Sequence, residues 1–173
     1  GNIDRVTFGN QSGDIPVPAD YDGDGITDIA IRRASTGQWL IRQSSSPSNI
    51  QRIYFGANVD DIPVPADYDG DGVDDIAIRR PSTGHWVYRL SSSNSIVRTY
   101  FGGEASDIPL PGDYDGDGIA DLAVRRPDSG FWFIRYSSDS SIFRIFFGSM
   151  EDDIPMPADY DGDGRDDLAF RRS

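Results

Sequence analysis

The chain has 173 residues, a formal net charge of −13 and no cysteine. Its length suits one globular domain, and the absence of cysteine excludes disulfides and thiol chemistry. No apolar run approaches the roughly 18 residues that a membrane helix needs, and no basic, apolar leader stands at Gly1, so we expect neither a membrane span nor a signal peptide in this sequence.

The acidic charge is concentrated in short clusters. Of the 29 acidic residues, 16 fall in four segments with the pattern D-x-D-x-D-x-x-x-D, and the other 13 are balanced by 16 arginines. Acid in four tight clusters indicates four cation sites rather than a diffuse acidic coat. Nucleic acid is not expected as a partner, because its phosphates would meet these clusters first.

The elements, taken in chain order, form a repeat. The segment "IDRVTFG" predicts an N-terminal closing strand within residues 1–9. A segment "DIPVPADYDGDGITDIAIRR" follows from Asp14, and close copies begin at Asp61, Asp107 and Asp153. The steps between copies are 47, 46 and 46 residues, a period in the range of propeller blades.

Each repeat contains four short extended pieces joined by turns. In the first repeat they are "IPVPAD", "TDIAIRR", "QWLIR" and "IQRIYFG", and no window carries apolar residues at helical spacing over three turns. The sequence therefore predicts an all-β fold, a β-propeller of four-stranded antiparallel blades. The predicted blades are residues 14–56, 61–102 and 107–148, followed by a partial blade at 153–173, all within a single repeat domain 1–173.

Two prolines in the first piece of each repeat indicate its place in the blade. Pro16 and Pro18 are two residues apart, so their missing N–H groups lie on one edge of the strand, which is tolerated only where that edge has no partner. The same pair recurs in the other three copies. We therefore expect the first piece of every repeat to be an edge strand, bordering the central channel.

The loop after the first strand has the chemistry of a cation site. Asp20, Asp22, Asp24 and Asp28 occupy loop positions 1, 3, 5 and 9, with glycine at positions 4 and 6. Carboxylates at this spacing, with a backbone carbonyl near position 7, can surround a hard cation, and an all-oxygen set favours calcium. Position 12 is apolar in every copy, where an EF-hand has glutamate, so we expect the loop to join strands rather than helices.

We predict about four calcium ions, one per repeat. The ligand sets, each including the position 7 carbonyl, are Asp20, Asp22, Asp24, Ile26 and Asp28; Asp67, Asp69, Asp71, Val73 and Asp75; Asp113, Asp115, Asp117, Ile119 and Asp121; and Asp159, Asp161, Asp163, Arg165 and Asp167. The alternative is a set of metal-free Asp-Gly turns, but turn chemistry does not require all four carboxylates. Without a cation these carboxylates would repel one another, so calcium binding should be linked to folding.

With these residues the chain resembles the FG-GAP repeat, also called the VCBS repeat, of integrin α-subunit β-propellers and many secreted bacterial proteins. The calcium loop is the specific element, and the FG part stands at residues 8–9, 55–56, 101–102 and 147–148. The GAP part is replaced by "RRA", "RRP" or "RRS", closer to bacterial relatives, so integrin-type ligand recognition is not carried over. The resemblance implies a calcium-stabilised propeller in a secreted or cell-surface protein that serves adhesion, carbohydrate recognition or scaffolding.

Arginine and tryptophan recur at fixed places and leave two interpretations open. Fifteen of the 16 arginines occupy repeat positions. They either join neighbouring blades, which we favour, or line a channel for an anionic glycan. Trp39, Trp86 and Trp132 either form the core between blades or, if exposed, act as sugar-binding platforms.

No catalytic set is apparent, because the residues that break the repeat, such as His85, Glu104 and Asp139, form no acid, base and nucleophile combination. We therefore expect a non-catalytic recognition or adhesion module with a protein or glycan ligand. Two alternatives remain: a lectin with a glycan site on each blade, and a structural scaffold in a larger secreted enzyme.

The blade count leaves the closure of the ring open. The fourth repeat has two strands in this sequence, which is consistent with a fragment of a larger propeller, a four-bladed ring closed by the opening strand, or a ring assembled from several chains. We favour closure or self-assembly, since exposed strand edges make an isolated open fragment unfavourable.

Overall fold

A computed structural model describes residues 5–148 and 152–172, and its regular elements are all β-strands. In chain order the strands are β1 (Asp14–Pro16), β2 (Ile29–Arg33), β3 (Gln38–Arg42), β4 (Ile50–Tyr54), β5 (Ile62–Pro63), β6 (Ile76–Arg80), β7 (His85–Arg89), β8 (Ile96–Tyr100), β9 (Ile108–Pro109), β10 (Leu122–Arg126), β11 (Phe131–Arg135), β12 (Ile142–Phe146), β13 (Ile154–Pro155) and β14 (Phe170–Arg171).

The strands form antiparallel meanders, one per repeat. Sheet 1 has the order β1-β2-β3-β4, sheet 2 the order β5-β6-β7-β8 and sheet 3 the order β9-β10-β11-β12, while sheet 4 consists of β13 and β14 in the described residues. Sequential antiparallel pairing of four short strands is the topology of a propeller blade. The prediction of an all-β, propeller-like array of antiparallel sheets is confirmed.

The N-terminal closing strand is not seen where it was predicted. Residues 5–9 are outside every strand, and residues 1–4 lie outside the described ranges. A strand needs a ladder partner for its N–H and C=O groups. Sheet 4, as described, offers only β13 and β14, without the third strand that a closing strand would join.

The proline pairs lie where the sequence predicts them. Each first strand (β1, β5, β9 and β13) pairs with a single neighbour within the described residues, and so forms one edge of its sheet. The N–H of Val17, between the two prolines of the first repeat, donates to the carbonyl of Ala30 at 2.9 Å. The strand edge on which the prolines lack N–H groups therefore faces away from the ladder, and the predicted edge strand is confirmed.

Apolar side chains from adjacent sheets form the cores between them. Val17 and Ile41 of sheet 1 pack with Ile76, Ile78 and Val87 of sheet 2, and the same kind of cluster lies between sheets 2 and 3. The interior of the protein is therefore divided among the junctions, as in other repeat arrays.

Buried arginines cross each of the first two junctions. Arg32 on β2 is fully buried, and its guanidinium donates to the carbonyls of Gly56, Asn58 and Asp61 at 3.0 Å each. Arg79 makes the same three contacts one repeat later, with Gly102, Glu104 and Asp107. These carbonyls belong to the segment that enters the next sheet, so Arg32 and Arg79 join neighbouring blades, which is the interpretation favoured above.

Candidate metal centres

The four acidic loops share one internal hydrogen-bond pattern. We name them loop 1 (residues 20–28), loop 2 (67–75), loop 3 (113–121) and loop 4 (159–167). In loop 1 the Asp20 carboxylate accepts the N–H groups of Gly23 and Gly25 at 2.8 and 2.7 Å. The Asp24 carboxylate accepts the N–H of Ile26 at 2.8 Å. Loops 2, 3 and 4 repeat all three bonds.

The glycines at positions 4 and 6 make this loop shape available. Gly23 and Gly25 have φ angles of +75° and +81°, in the left-handed region that favours glycine, and their counterparts in the other loops have the same sign. Each turn brings a backbone N–H toward the position 1 carboxylate. The Asp-Gly-Asp-Gly sequence therefore folds the loop around its first aspartate.

The position 9 aspartate is the most buried carboxylate of loops 1 to 3. Asp28 accepts the N–H of Tyr21 at 3.0 Å through one oxygen and the N–H of Ser44 at 2.7 Å through the other. Asp75 and Asp121 are held in the same way. Burial raises the pKa of Asp75 and of Asp121 to about 6, against the lowering effect of these hydrogen bonds. A nearby cation would favour the ionised form.

A pair of serines from the turn after the third strand closes over the loop. Ser44 Oγ donates to Asp24 and Ser45 Oγ donates to Asp22, each at 2.5 Å. Ser91 and Ser92 contact loop 2 in this way, and Ser137 and Ser138 contact loop 3. Each pair orients one oxygen of the position 3 and position 5 carboxylates, and the second oxygen of the position 5 carboxylate accepts the position 7 N–H within the loop.

Neighbouring loops are bonded to one another through position 8 of the following loop. The backbone N–H of Asp74 in loop 2 donates to the carbonyl of Asp20 in loop 1 at 2.8 Å, and the Asp74 carboxylate accepts the N–H of Asp20 at 2.8 Å. Asp166 makes the same two contacts with Asp113. Between loops 2 and 3, where position 8 is Ala120, the backbone bond to Asp67 alone is present.

Carboxylate oxygens of each loop converge on a common point. The oxygens of positions 1, 3 and 9 lie within 4.8 Å of one another in loops 1, 3 and 4, as do those of positions 1, 3 and 5 in loop 2. Asp69 Oδ1 in loop 2 is buried and has no hydrogen-bond partner among the described residues. A buried carboxylate oxygen without a partner is costly, and a bound cation would satisfy it.

The donor set fits calcium. It is made of carboxylate and carbonyl oxygens, without histidine or cysteine, and hard cations with flexible geometry prefer such ligands. The structure brings three of the four predicted aspartates of each repeat together; the groups do not include Asp24, Asp75, Asp117 and Asp163. It stays a prediction that the position 7 carbonyl oxygens bind the cation, namely those of Ile26, Val73, Ile119 and Arg165.

The tryptophans do not form a ligand site. Trp39, Trp86 and Trp132 are fully buried, and their indole N–H groups donate to the carbonyls of Phe55, Phe101 and Phe147 at 3.0, 3.0 and 2.9 Å. A sugar ring cannot stack on a side chain without exposed surface. The interpretation of these residues as sugar-binding platforms is therefore wrong, and they form the core between blades.

Sequence reasoning missed the serine pairs and the bonds between loops. The serines were assigned no role from the sequence, yet "SS" follows the third strand in each of the three complete repeats, at the same offset from the acidic loop. That recurrence was the available signal. The bonds between loops use backbone groups at a position whose residue varies (Thr27, Asp74, Ala120 and Asp166), so the sequence gives no comparable signal for them.

Together, the meander sheets and the acidic loops define a propeller-like repeat protein with one candidate cation loop per repeat. Family models agree: residues 20–78 match the FG-GAP-like repeat and residues 108–142 match the FG-GAP repeat. The chain belongs to the FG-GAP repeat family. No curated protein and no solved structure matched it. Within residues 5–148 and 152–172 there is no helix that could span a membrane.

Proposed function

We propose that this chain is a calcium-stabilised, non-catalytic recognition module of a secreted or cell-surface protein. The observation that carries the proposal is the convergence of three carboxylates in each of four loops, with a buried and unpartnered oxygen at Asp69. Membership of the FG-GAP family supports a role in adhesion or recognition outside the cytoplasm.

The role of calcium in this proposal is structural. Each loop joins the first and second strands of its sheet, and loops 1 to 3 also contact the turn after the third strand through the serine pair. A cation held by such a loop would fix three of the four strands relative to one another. Binding to the folded state alone stabilises it by about 2.7 kcal/mol per site at a hundredfold excess over Kd.

The burial of the position 9 carboxylates in loops 1 to 3 supports a non-catalytic role. The position 9 carboxylates of loops 1 to 3 are enclosed and hydrogen-bonded at both oxygens, so they are placed to hold a cation rather than to contact a substrate. Catalytic metals need an open coordination position next to groups that act on a substrate. The only histidine, His85, lies on β7 against the ring of Tyr100, outside the acidic loops.

Calcium titration by isothermal calorimetry, combined with thermal unfolding in calcium and in chelator, tests this proposal. We expect about four ions per chain and a lower midpoint of unfolding in chelator. Asp67→Asn should remove one ion, because the amide cannot accept both backbone N–H groups and bind the cation. A matched control is Asp60→Asn, in an exposed aspartate outside the loops. The absence of binding heat together with an unchanged midpoint would contradict the proposal.

A second candidate function, glycan binding, is favoured by a different set of rings. Tyr54, Tyr100 and Phe146 end the fourth strands of sheets 1, 2 and 3 and are exposed. Two of the rings lie beside a planar polar side chain on the third strand: Gln38 donates to the Tyr54 hydroxyl at 2.9 Å, and His85 packs edge-on to Tyr100, whereas Phe146 packs edge-on to Phe131. Exposed rings next to planar polar groups suit the stacking of sugars.

A glycan array probed with the wild type and with the triple variant Y54A/Y100A/F146A tests this candidate. Binding in calcium that is lost in the triple variant, while the number of bound calcium ions is unchanged, would support a lectin. An array on which the folded wild type binds no glycan would leave protein adhesion as the function.

A further inference from the structure

Each junction between consecutive sheets is made from the same parts. The preceding sheet supplies a loop whose position 1 aspartate and position 4 glycine are contacted by the next loop. The following sheet supplies the residues at loop positions 7 and 8. At the first junction, the side chain of Val73 in loop 2 lies against Gly23 of loop 1, and the N–H of Asp74 bonds the Asp20 carbonyl. Ile119 on Gly70 and Arg165 on Gly116 repeat this arrangement at the second and third junctions.

The arginine contacts described for the fold complete the junction on its other side. The preceding sheet supplies a buried arginine, Arg32 or Arg79, and the segment entering the following sheet supplies three carbonyls. That segment has a fixed turn, in which the Asn58 carbonyl accepts the N–H of Asp61 at 3.1 Å. A junction is therefore asymmetric. The preceding sheet contributes one surface, the preceding face, and the following sheet contributes a different and complementary surface, the following face.

Sheet 4 presents the preceding face of a junction without a following sheet against it. Arg171, at the repeat position of Arg32 and Arg79, is exposed. Among the described residues, no atom lies within 4 Å of a Cβ built on Gly162, whereas a Cβ built on Gly23, Gly70 or Gly116 would meet a side chain of the following loop. Tyr160 is 60% exposed, whereas the equivalent Tyr114 at the third junction is 7% exposed.

Sheet 1 presents the matching following face. Ile26, at the repeat position of Val73, is 60% exposed, and Thr27 at position 8 is exposed as well. Ile29 is 38% exposed, whereas the equivalent Ile76 and Leu122 are 7% and 5% exposed inside their junctions.

The segment entering sheet 1 is also shaped to receive an arginine. The Gln11 carbonyl accepts the N–H of Asp14 at 3.1 Å, which is the turn that residues 58–61 adopt where they receive Arg32. Gly9 and Gln11 are exposed and stand at the repeat positions of Gly56 and Asn58, whose carbonyls bond Arg32.

We propose that sheet 4 of one copy of this chain docks head to tail on sheet 1 of a second copy. Arg171 of the first copy would bond the carbonyls of Gly9, Gln11 and Asp14 in the second. The Thr27 N–H would bond the Asp159 carbonyl, and Ile26 would pack on Gly162. The occupant is a second copy because the two faces are the two halves of an interface that this chain forms with itself three times.

A contact of this kind is heterologous, so it propagates until the rotation closes a ring. It also connects loop 4 of one copy to loop 1 of the next through the bonds that join consecutive loops within the chain. The proposal concerns the junction itself and does not depend on which glycan or protein the module recognises.

Analytical ultracentrifugation of single-face variants tests the proposal. Ile29→Asp disables the face on sheet 1, and Arg171→Ala disables the face on sheet 4; both side chains are exposed and lie outside the acidic loops, so the fold should be unchanged. We expect the wild type to associate as its concentration rises, and each variant to associate at least about tenfold more weakly. Val59→Asp and Arg52→Ala, in exposed side chains outside both faces, are the matched controls and should behave as the wild type.

Mixing the two variants gives the sharper test. Each retains the face that the other lacks, so an equimolar mixture of I29D and R171A should form a one-to-one dimer and stop there. Calcium binding and circular dichroism of each variant report separately whether the loops and the sheets are intact. A wild type that stays monomeric, controls that dissociate as strongly as the variants, or a mixture that forms no dimer would overturn the proposal.

Discussion

Loop 2 and loop 4 have the same internal hydrogen bonds but different surroundings. In loop 2, Ser91 and Ser92 donate to the acidic side chains from the third hairpin, and Ile119 and Ala120 of the next repeat contact Gly70 and Asp67. Within the described residues, loop 4 has neither contact, and its carboxylates at positions 1 and 3 are more exposed. The shape of the loop is therefore determined by its own residues, whereas its burial depends on contacts from the adjacent hairpin and the next repeat.

Sheets 2 and 4, which carry these loops, also differ in the surroundings of Arg79 and Arg171. Substituting these arginines is expected to give the largest difference in the free energy of unfolding. Arg79→Ala would leave the carbonyls of Gly102, Glu104 and Asp107 without their donor in a buried junction, which should cost about 3 kcal/mol of unfolding free energy. Arg171→Ala, at the same repeat position but exposed, should change the stability of the monomer little. Urea unfolding of both variants below the association range measures the difference, and equal costs would contradict the assigned roles.

The position 1 aspartates of the two loops give the second test. Asp67→Asn and Asp159→Asn should each remove one calcium ion, because both residues accept two loop N–H groups in the same way. The loss of stability should be larger for Asp67→Asn, since loop 2 also supports Ser92 and the Ala120 N–H. Calorimetric titration and thermal unfolding of the two variants measure these effects. A loop 4 variant that destabilises the protein as much as the loop 2 variant would show that the neighbours contribute nothing.

The serine pair is expected to have a smaller effect. Ser92→Ala removes a hydrogen bond of 2.5 Å to Asp69 and should destabilise the calcium-bound state by about 1 kcal/mol. This corresponds to roughly a fivefold loss of calcium affinity at loop 2. Ser93→Ala, one residue further along and without a contact to the loop among the described residues, is the control. Calcium affinities of the two variants that do not differ would refute the role assigned to the serines.

Acidification should weaken calcium binding at loops 2 and 3. Burial raises the pKa of Asp75 and Asp121 to about 6 in the metal-free protein. The stability that each group contributes to the metal-free state is therefore complete below its ordinary pKa and is lost as the pH rises through about 6. Calcium requires the ionised carboxylates, so its stabilising effect should grow between about pH 5 and pH 7. Thermal unfolding with and without calcium across this range measures it, and a calcium effect independent of pH would contradict the assignment.

The sequence was sufficient for the features that depend on local chemistry. Pro16 and Pro18 predicted the edge strand, because the missing N–H group is a property of the residue itself. The spacing of the four aspartates in loop 1 predicted that their carboxylates would converge, and those of Asp20, Asp22 and Asp28 do so, because the glycines at positions 4 and 6 can adopt the positive φ that a tight loop needs.

Features that depend on contacts between distant segments could not be predicted in the same way. The burial of Trp39 is decided by the packing of sheet 1 against sheet 2, and a tryptophan on a strand is compatible with either a core or an exposed platform. The contact of Ser45 with Asp22 joins residues 23 positions apart, and it becomes visible only when the third strand is placed beside the second. The N-terminal closing strand stays a prediction, because residues 1–4 lie outside the described ranges and sheet 4 is described by β13 and β14 alone.

Amide hydrogen exchange of loops 2 and 4, measured in calcium and in chelator, tests the central claim most directly. Calcium should slow the exchange of Gly70 and Gly72 in loop 2 and of Gly162 and Gly164 in loop 4, because their N–H groups are held by the position 1 carboxylates that would bind the ion. Loop 4 should exchange faster than loop 2 in both conditions. Exchange that is unaffected by calcium in both loops would contradict the claim that these aspartates form calcium sites that stabilise the fold.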